Sequence, residues 1–264
     1  KKRFAEKSVF AVLECGGNGR SFYSPPARGN QWTNGGAGCA KWTGVSLAEV
    51  LKAAGPKSSA VYTAHYGTDQ HLSGDPKQLT LSRGVPIPKA MEAEALLVWA
   101  MNDAPLQNIH GGPLRLMIPG WPGSASHKGL SKITLRDKEH DGPGMTGTSY
   151  RGPIQPLVPG GKLAAGTREV ALRGAAWAGD LTVKAVHVST DFGATWQPTQ
   201  LGAPRNRFDW QRWTASVKLP SDGYYEIWVR ATDSQDRAQP HVAANWNPQG
   251  YGGNPMHRVA VLVG

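Results

Sequence analysis

The chain has 264 residues, 39% hydrophobic and 18% charged, the composition of an ordinary soluble globular protein with room for two compact domains. Its 29 Lys and Arg against 19 Asp and Glu give a formal charge of +10, which favours an anionic ligand or an acidic partner. The basic residues are scattered, arguing against a nucleic-acid tail, and no apolar stretch reaches the length of a membrane span.

In chain order, "SVFAVLE" at 8–14 reads as a strand that runs directly into Cys15. "VSLAEVLKAAGP" carries a helix signature: Ser46 as N-cap, Glu49 to close a capping box, and Gly55-Pro56 as the stop. "KAMEAEALLVWAMND", 89–103, has Met91, Ala95, Val98 and Trp99 at helical spacing and predicts a second amphipathic helix. "GPLRLMIPG" at 112–120 reads as a buried strand, so the first part of the chain is expected to be mixed α+β.

After a Gly/Pro-rich hinge near 152–162 the pattern changes. "LTVKAVHVSTD", "WQRWTASVKLP" and "YYEIWVRATDS" alternate at period two between turn signals, and "HRVAVLV" ends the chain. This predicts an immunoglobulin-like antiparallel β-sandwich without an inter-sheet disulfide, since both cysteines lie upstream. The domain expectation is 1–155 followed by 156–264.

Chemistry concentrates at "ECGGNGRSF", residues 14–22. Glycines beside Cys15 let the backbone approach a ligand, and Arg20 and Arg28 nearby favour the thiolate, the form that attacks and ligates. Cys15 reads equally well as a packed strand-end thiol, as a soft metal ligand, or as a nucleophile served by His65, His71 or His110. No Cys-x-x-Cys pair marks a zinc or redox site, and nothing in the spacing demands a Cys15–Cys39 disulfide. Trp32 and Trp42 read as core aromatics or site residues, and His110, Lys128, Tyr150 and Arg151 are each ambiguous alone.

Taken together these stretches are specific. "ECGGNGRSF…QW…GAGCAKWTGVSLAEVLKAAG", "HGGPLRLMIPGWPGSASHKGL" and "GTSYRGP" resemble, in order and spacing, the molybdenum domain of the sulfite oxidase family. The second half, through "QPHVAANWNPQGYGGNPMHRVAV", resembles that family's immunoglobulin-like dimerisation domain. The resemblance implies molybdenum held by a molybdopterin (pyranopterin dithiolene), with Cys15 as the protein's metal ligand. It implies Tyr150, Arg20, Trp32 and Arg258 at the catalytic pocket, with Arg28 beside it. His110, Arg115 and Lys128 would grip the cofactor and its phosphate, with Ser124 and Ser126 as further candidates.

The reaction implied is oxidation of sulfite to sulfate; a sulfane dehydrogenase subunit or a related molybdopterin oxidoreductase with another small substrate is the near alternative, and a non-catalytic binding subunit the contrasting one. Without a haem motif in the chain, electrons are expected to pass singly to a separate c-type cytochrome, in a periplasmic homodimer. Only fourteen residues precede Cys15, where the family carries a longer segment with two cofactor-site residues. That segment is expected to be cleaved away, supplied by a second polypeptide, or outside this sequence. Gly129 also stands where the family usually has an aromatic residue after the lysine.

Overall fold

The computed structural model describes residues 3–23, 26–140, 142, 161–243 and 250–264. Two compact units emerge: Lys1–Gly16 with Gly38–Ser149, and Gly17–Ala37 with Tyr150–Gly264. The segment 17–37 therefore leaves the first unit after Gly16, one residue beyond Cys15, and folds with the C-terminal part of the chain.

The first unit contains β1 (Glu6–Glu14), β2 (Ala37–Ser46), α1 (Leu47–Ala54), β3 (Tyr62–Gly67), β4 (Ser82–Arg83), α2 (Ile87–Ala90), β5 (Leu96–Met101), β6 (Ala104–Pro105), β7 (Arg115–Met117) and β8 (Leu130–Arg136). One sheet runs β1-β2-β5-β6 with β7 also on β5, and a second runs β4-β3-β8. The core is built from Val45, Leu47, Leu51, Val85, Leu97, Leu116 and Ile118. Each such side chain contributes on the order of 1.5–3 kcal/mol by leaving water.

Helix α1 follows the sequence expectation. The Ser46 hydroxyl accepts from the Glu49 amide at 3.4 Å, and Gly55 ends the helix in the left-handed region at φ 68°. The Glu49 carboxylate accepts from Lys7 Nζ at 2.9 Å.

The helix expected over 89–103 is corrected. Only Ile87–Ala90 is helical, and Leu96–Met101 is a strand. β5 pairs with β2 on one side (Leu97 opposite Val45) and with β7 on the other (Leu97 opposite Leu116). A strand with partners on both sides and both faces covered shows an unbroken apolar run, which periodicity alone does not separate from a helix. The close pairing also explains Gly44, where a Cβ would stand 1.9 Å from the Leu97 carbonyl oxygen. With α-helices of eight and four residues, the described residues are mostly β rather than α+β.

The second unit contains β9 (Gly161–Leu163), β10 (Glu169–Ala176), β11 (Val183–Ser189), β12 (Gln197–Pro198), β13 (Gln200–Leu201), β14 (Gln211–Lys218), β15 (Gly223–Asp233) and β16 (His257–Val263). Among the described residues these form two sheets, β10-β14-β13 and β12-β11-β15-β16-β9. Alternation along β11, β14, β15 and β16 turns Val186, Val188, Trp213, Val217, Ile227 and Val261 into one core. Gly174 is required opposite Trp213, whose ring would lie 2.4 Å from a Cβ there.

Candidate functional site

Cys15 stands just past the end of β1, exposed and free of any disulfide; Cys39 is likewise unoxidised and half-buried. The turn Gly123–Ala125 packs against this strand end, leaving a Cβ on Gly123 only 3.0 Å from the Glu14 carbonyl oxygen. Ser124 rides on that turn half-buried, whereas Ser126 is buried and its hydroxyl accepts from the Ile118 amide at 3.0 Å. Ser124 is therefore the more accessible of the two serines.

Arg115 and Lys128 meet on one turn. Arg115 Nη1 donates to the His110 carbonyl at 2.8 Å and Lys128 Nζ to the Ile109 carbonyl at 2.6 Å. Arg115 Nε also reaches the Ser126 carbonyl at 3.2 Å, and its guanidinium lies 5.3 Å from the Trp42 ring centre. Burial lowers Arg115 to about 10, so it stays cationic at neutral pH. Lys128's methylenes cross Gly111, whose φ of 99° and 2.7 Å clearance both call for glycine. The result is an exposed pair, His110 and Lys128, on a turn braced by a buried arginine. Trp42 is a core residue, donating to the Ala11 carbonyl at 3.2 Å.

The other candidates fall in the second unit. Arg20, 5% exposed, opens the short turn Arg20–Phe22, and its Nη1 donates to the Asn30 carbonyl at 2.9 Å. Its guanidinium sits 5.0 Å from the Tyr251 ring centre. A Cβ on Gly17, Gly29 or Gly250 would come within 2.3, 2.7 and 2.6 Å of its side chain, so three glycines form its sleeve. Trp32 is 41% exposed, which removes the core reading, and Arg28 is exposed as well. Arg258, on β16, is mostly buried and borders a shallow surface depression with Phe22, His241, Pro255 and Met256. Asn34, two residues past Trp32, donates its amide to His257 Nδ1 and so ties the Trp32 segment to the strand bearing Arg258. Tyr150 lies outside the described residues.

Of the histidines considered as bases for Cys15, His71 bonds Ser73 and His65 is fully buried against Thr63. The Thr63 hydroxyl donates to the Val85 carbonyl, so it must accept from His65 Nε2–H, leaving Nδ1 buried and unpartnered. Burial first, then His127 and His140, lowers His65 to about 3. Below about pH 6.5 the unfolded chain takes up a proton that folded His65 refuses, so stability falls on acidification towards pH 3. To the unfolding free energy, measured by denaturant titration at pH 7.5, 6 and 4.5, His65 should contribute a limiting slope of about 1.4 kcal/mol per pH unit, with the lowered His127 and His257 adding to it. His65→Gln should make the slope shallower by that contribution; an unchanged slope would contradict the assignment.

Residues 1–144 match the model described as the oxidoreductase molybdopterin binding domain, and 157–264 the Mo-co oxidoreductase dimerisation domain. The chain belongs to the sulfite oxidase family of molybdopterin oxidoreductases. It is 30% identical over 297 residues to mitochondrial sulfite oxidase of Mus musculus, covering 99% of this chain and 54% of that protein. It is also 30% identical over 292 residues to sulfite oxidase of Gallus gallus, covering 98% and 63%. The chain thus spans little more than half the length of these relatives. Its fold is similar to that of the sulfane dehydrogenase SoxCD from Paracoccus pantotrophus, with a TM-score of 0.79 and 23% identity over 97% of this chain and 69% of that one.

The first unit's residues fit the family's cofactor. Cys15 offers an exposed, soft sulfur donor, and His110 and Lys128 offer exposed donors for a phosphate on a braced turn. Among the described residues no three His, Cys, Asp or Glu side chains gather as a metal site. No helix among them is long and apolar enough to cross a membrane.

Proposed function

We propose that this chain oxidises sulfite to sulfate in a molybdenum-dependent reaction and passes the electrons singly to a c-type cytochrome. The observation that carries the reading is Arg20: a buried guanidinium, sleeved by three glycines and backed by Tyr251, in the same unit as Trp32 and Arg258. Arginines so constrained suit a small oxyanion, because a fixed fork matches two oxygens at once. In this reading Cys15 is the metal ligand, and His110, Lys128, Arg115 and Ser124 hold or brace the molybdopterin. When bound, that cofactor supplies oxygen-atom transfer to the substrate sulfur and accepts its two electrons. Arg20, Arg258 and Arg28 attract and orient the anion, Trp32 walls their pocket, and Tyr150 is the further catalytic residue that the family resemblance implies.

The same reading divides the chain at 155/156 and makes the second domain an immunoglobulin-like sandwich that forms a homodimer, in a periplasmic protein. The two sheets around the Val186–Trp213–Ile227 core support the sandwich.

A second reading, oxidation of a sulfane sulfur, is favoured by the fold likeness to SoxCD over 97% of the chain. Steady-state assays on molybdenum-replete protein separate the two, with ferricyanide or cytochrome c as acceptor. The sulfite reading expects turnover with sulfite and little with thiosulfate. Thiosulfate turnover without sulfite turnover moves the assignment to the second reading, and turnover with neither overturns both, leaving a related oxidoreductase with another small substrate or a binding role.

A further inference from the structure

Beside Arg258 the outer face of the β15–β16 pair carries an acidic residue that the reaction above does not use. Trp228 and Arg258 are directly opposed across the pair and Glu226 is opposed to Ala260, so all three side chains share one face. Glu226 Oε2 accepts from Trp228 Nε1 at 2.7 Å, and Oε1 accepts from the Tyr224 hydroxyl at 2.9 Å. These two neutral donors pin the carboxylate, and the hydrogen bond raises the Tyr224 pKa above its usual value. Trp228 is itself clamped, with His241 stacked at 4.4 Å and Phe192 edge-on at 6.0 Å. So oriented, Glu226 Oε2 stands 3.8 Å from Arg258 Nη1, with the two side chains only 18% and 13% exposed.

That separation is too long for a hydrogen bond, yet it is close enough for strong charge coupling in a site largely closed to water. Because other partners fix the carboxylate, it does not depend on Arg258 for its position. It acts as a standing negative charge behind the arginine.

We infer that Glu226 is a specificity-setting residue for the Arg258 site, discounting the arginine's charge and limiting how strongly it favours doubly charged over singly charged oxyanions. This rests on the reading of Arg258 as an anion-pocket residue. Glu226 is a positioning and charge-balancing residue; nothing places it against the substrate. The local geometry survives its neutralisation, since glutamine retains an acceptor for Trp228.

The test is calorimetric titration of the purified protein with sodium sulfate, a dianion, and sodium nitrate, a monoanion, at constant ionic strength. Coulomb energy scales with ligand charge, so Glu226→Gln should tighten sulfate by about tenfold and nitrate by about threefold. The sulfate-to-nitrate preference therefore rises. Glu226→Ala removes the same charge without introducing an amide and should change the preference in the same direction. Unchanged sulfate affinity in both variants, with weakened binding in Arg258→Ala, overturns the inference while the anion-pocket reading stands. Sulfate binding by Arg258→Ala equal to that of the unaltered protein, or no sulfate binding at all, overturns both.

Discussion

Cys15→Ser should leave a folded protein with almost no turnover. The residue is exposed at the end of β1 and contributes nothing to either hydrophobic core, so the melting temperature should move little. A hydroxyl is a harder and far more basic donor than a thiolate and does not replace it electronically at a thiophilic metal. Sulfite turnover is expected to fall by roughly a thousandfold or more, equivalent to about 4 kcal/mol of transition-state stabilisation. The pterin should be retained, because His110, Arg115 and Lys128 are untouched. A variant with ordinary activity would mean that Cys15 is not the metal ligand.

The second large effect is expected at Arg20. Arg20→Met keeps much of the side-chain volume inside the glycine sleeve but removes the charge and the fork. It also leaves the Asn30 carbonyl without that donor. The sulfite KM should rise and kcat should fall, with a combined loss in kcat/KM of about 100-fold or more. Gly250→Ala probes the same geometry from outside. It forces a Cβ to 2.6 Å from Arg20 Cγ at a φ of +60°, so it should raise KM without removing any charge. If Arg20→Met binds sulfite normally, the anion pocket lies elsewhere.

The second unit was readable because its strands bury one face, and period-two alternation follows directly from that. The capped helix α1 was readable from Ser46 and Gly55, whose chemistry is local. β5 was misread for the converse reason: its edges are paired to β2 and β7, and the consecutive residues Leu96, Leu97 and Val98 are all buried, so both faces are covered and no alternation is left. Among the candidate residues, Cys15, His110 and Lys128 each had an ordinary alternative alone and stood out only through the joint order of the motifs along the chain, which also singled out Arg20 and Arg258.

What the sequence did not reveal depends on distant pairing. Asn34 meets His257 across 223 positions, and Gly250 and Tyr251 close on Arg20 from the far end of the chain. Glu226 and Trp228 carried a faint signal, two residues apart on an alternating strand, but their relation to Arg258 exists only through the β15–β16 register. Nor did the Gly/Pro hinge signal that 17–37 folds with the later residues, since glycine-rich loops carry no period to assign them to a neighbour.

The most direct test of the central claim is the molybdenum content of protein purified from molybdate-replete cells, compared between the unaltered chain and Cys15→Ser in which sulfite turnover is also measured. The account predicts stoichiometric molybdenum and sulfite oxidation in the first, and loss of sulfite oxidation in the second. Sulfite oxidation by a molybdenum-free protein, or stoichiometric molybdenum with undiminished turnover in Cys15→Ser, would contradict it.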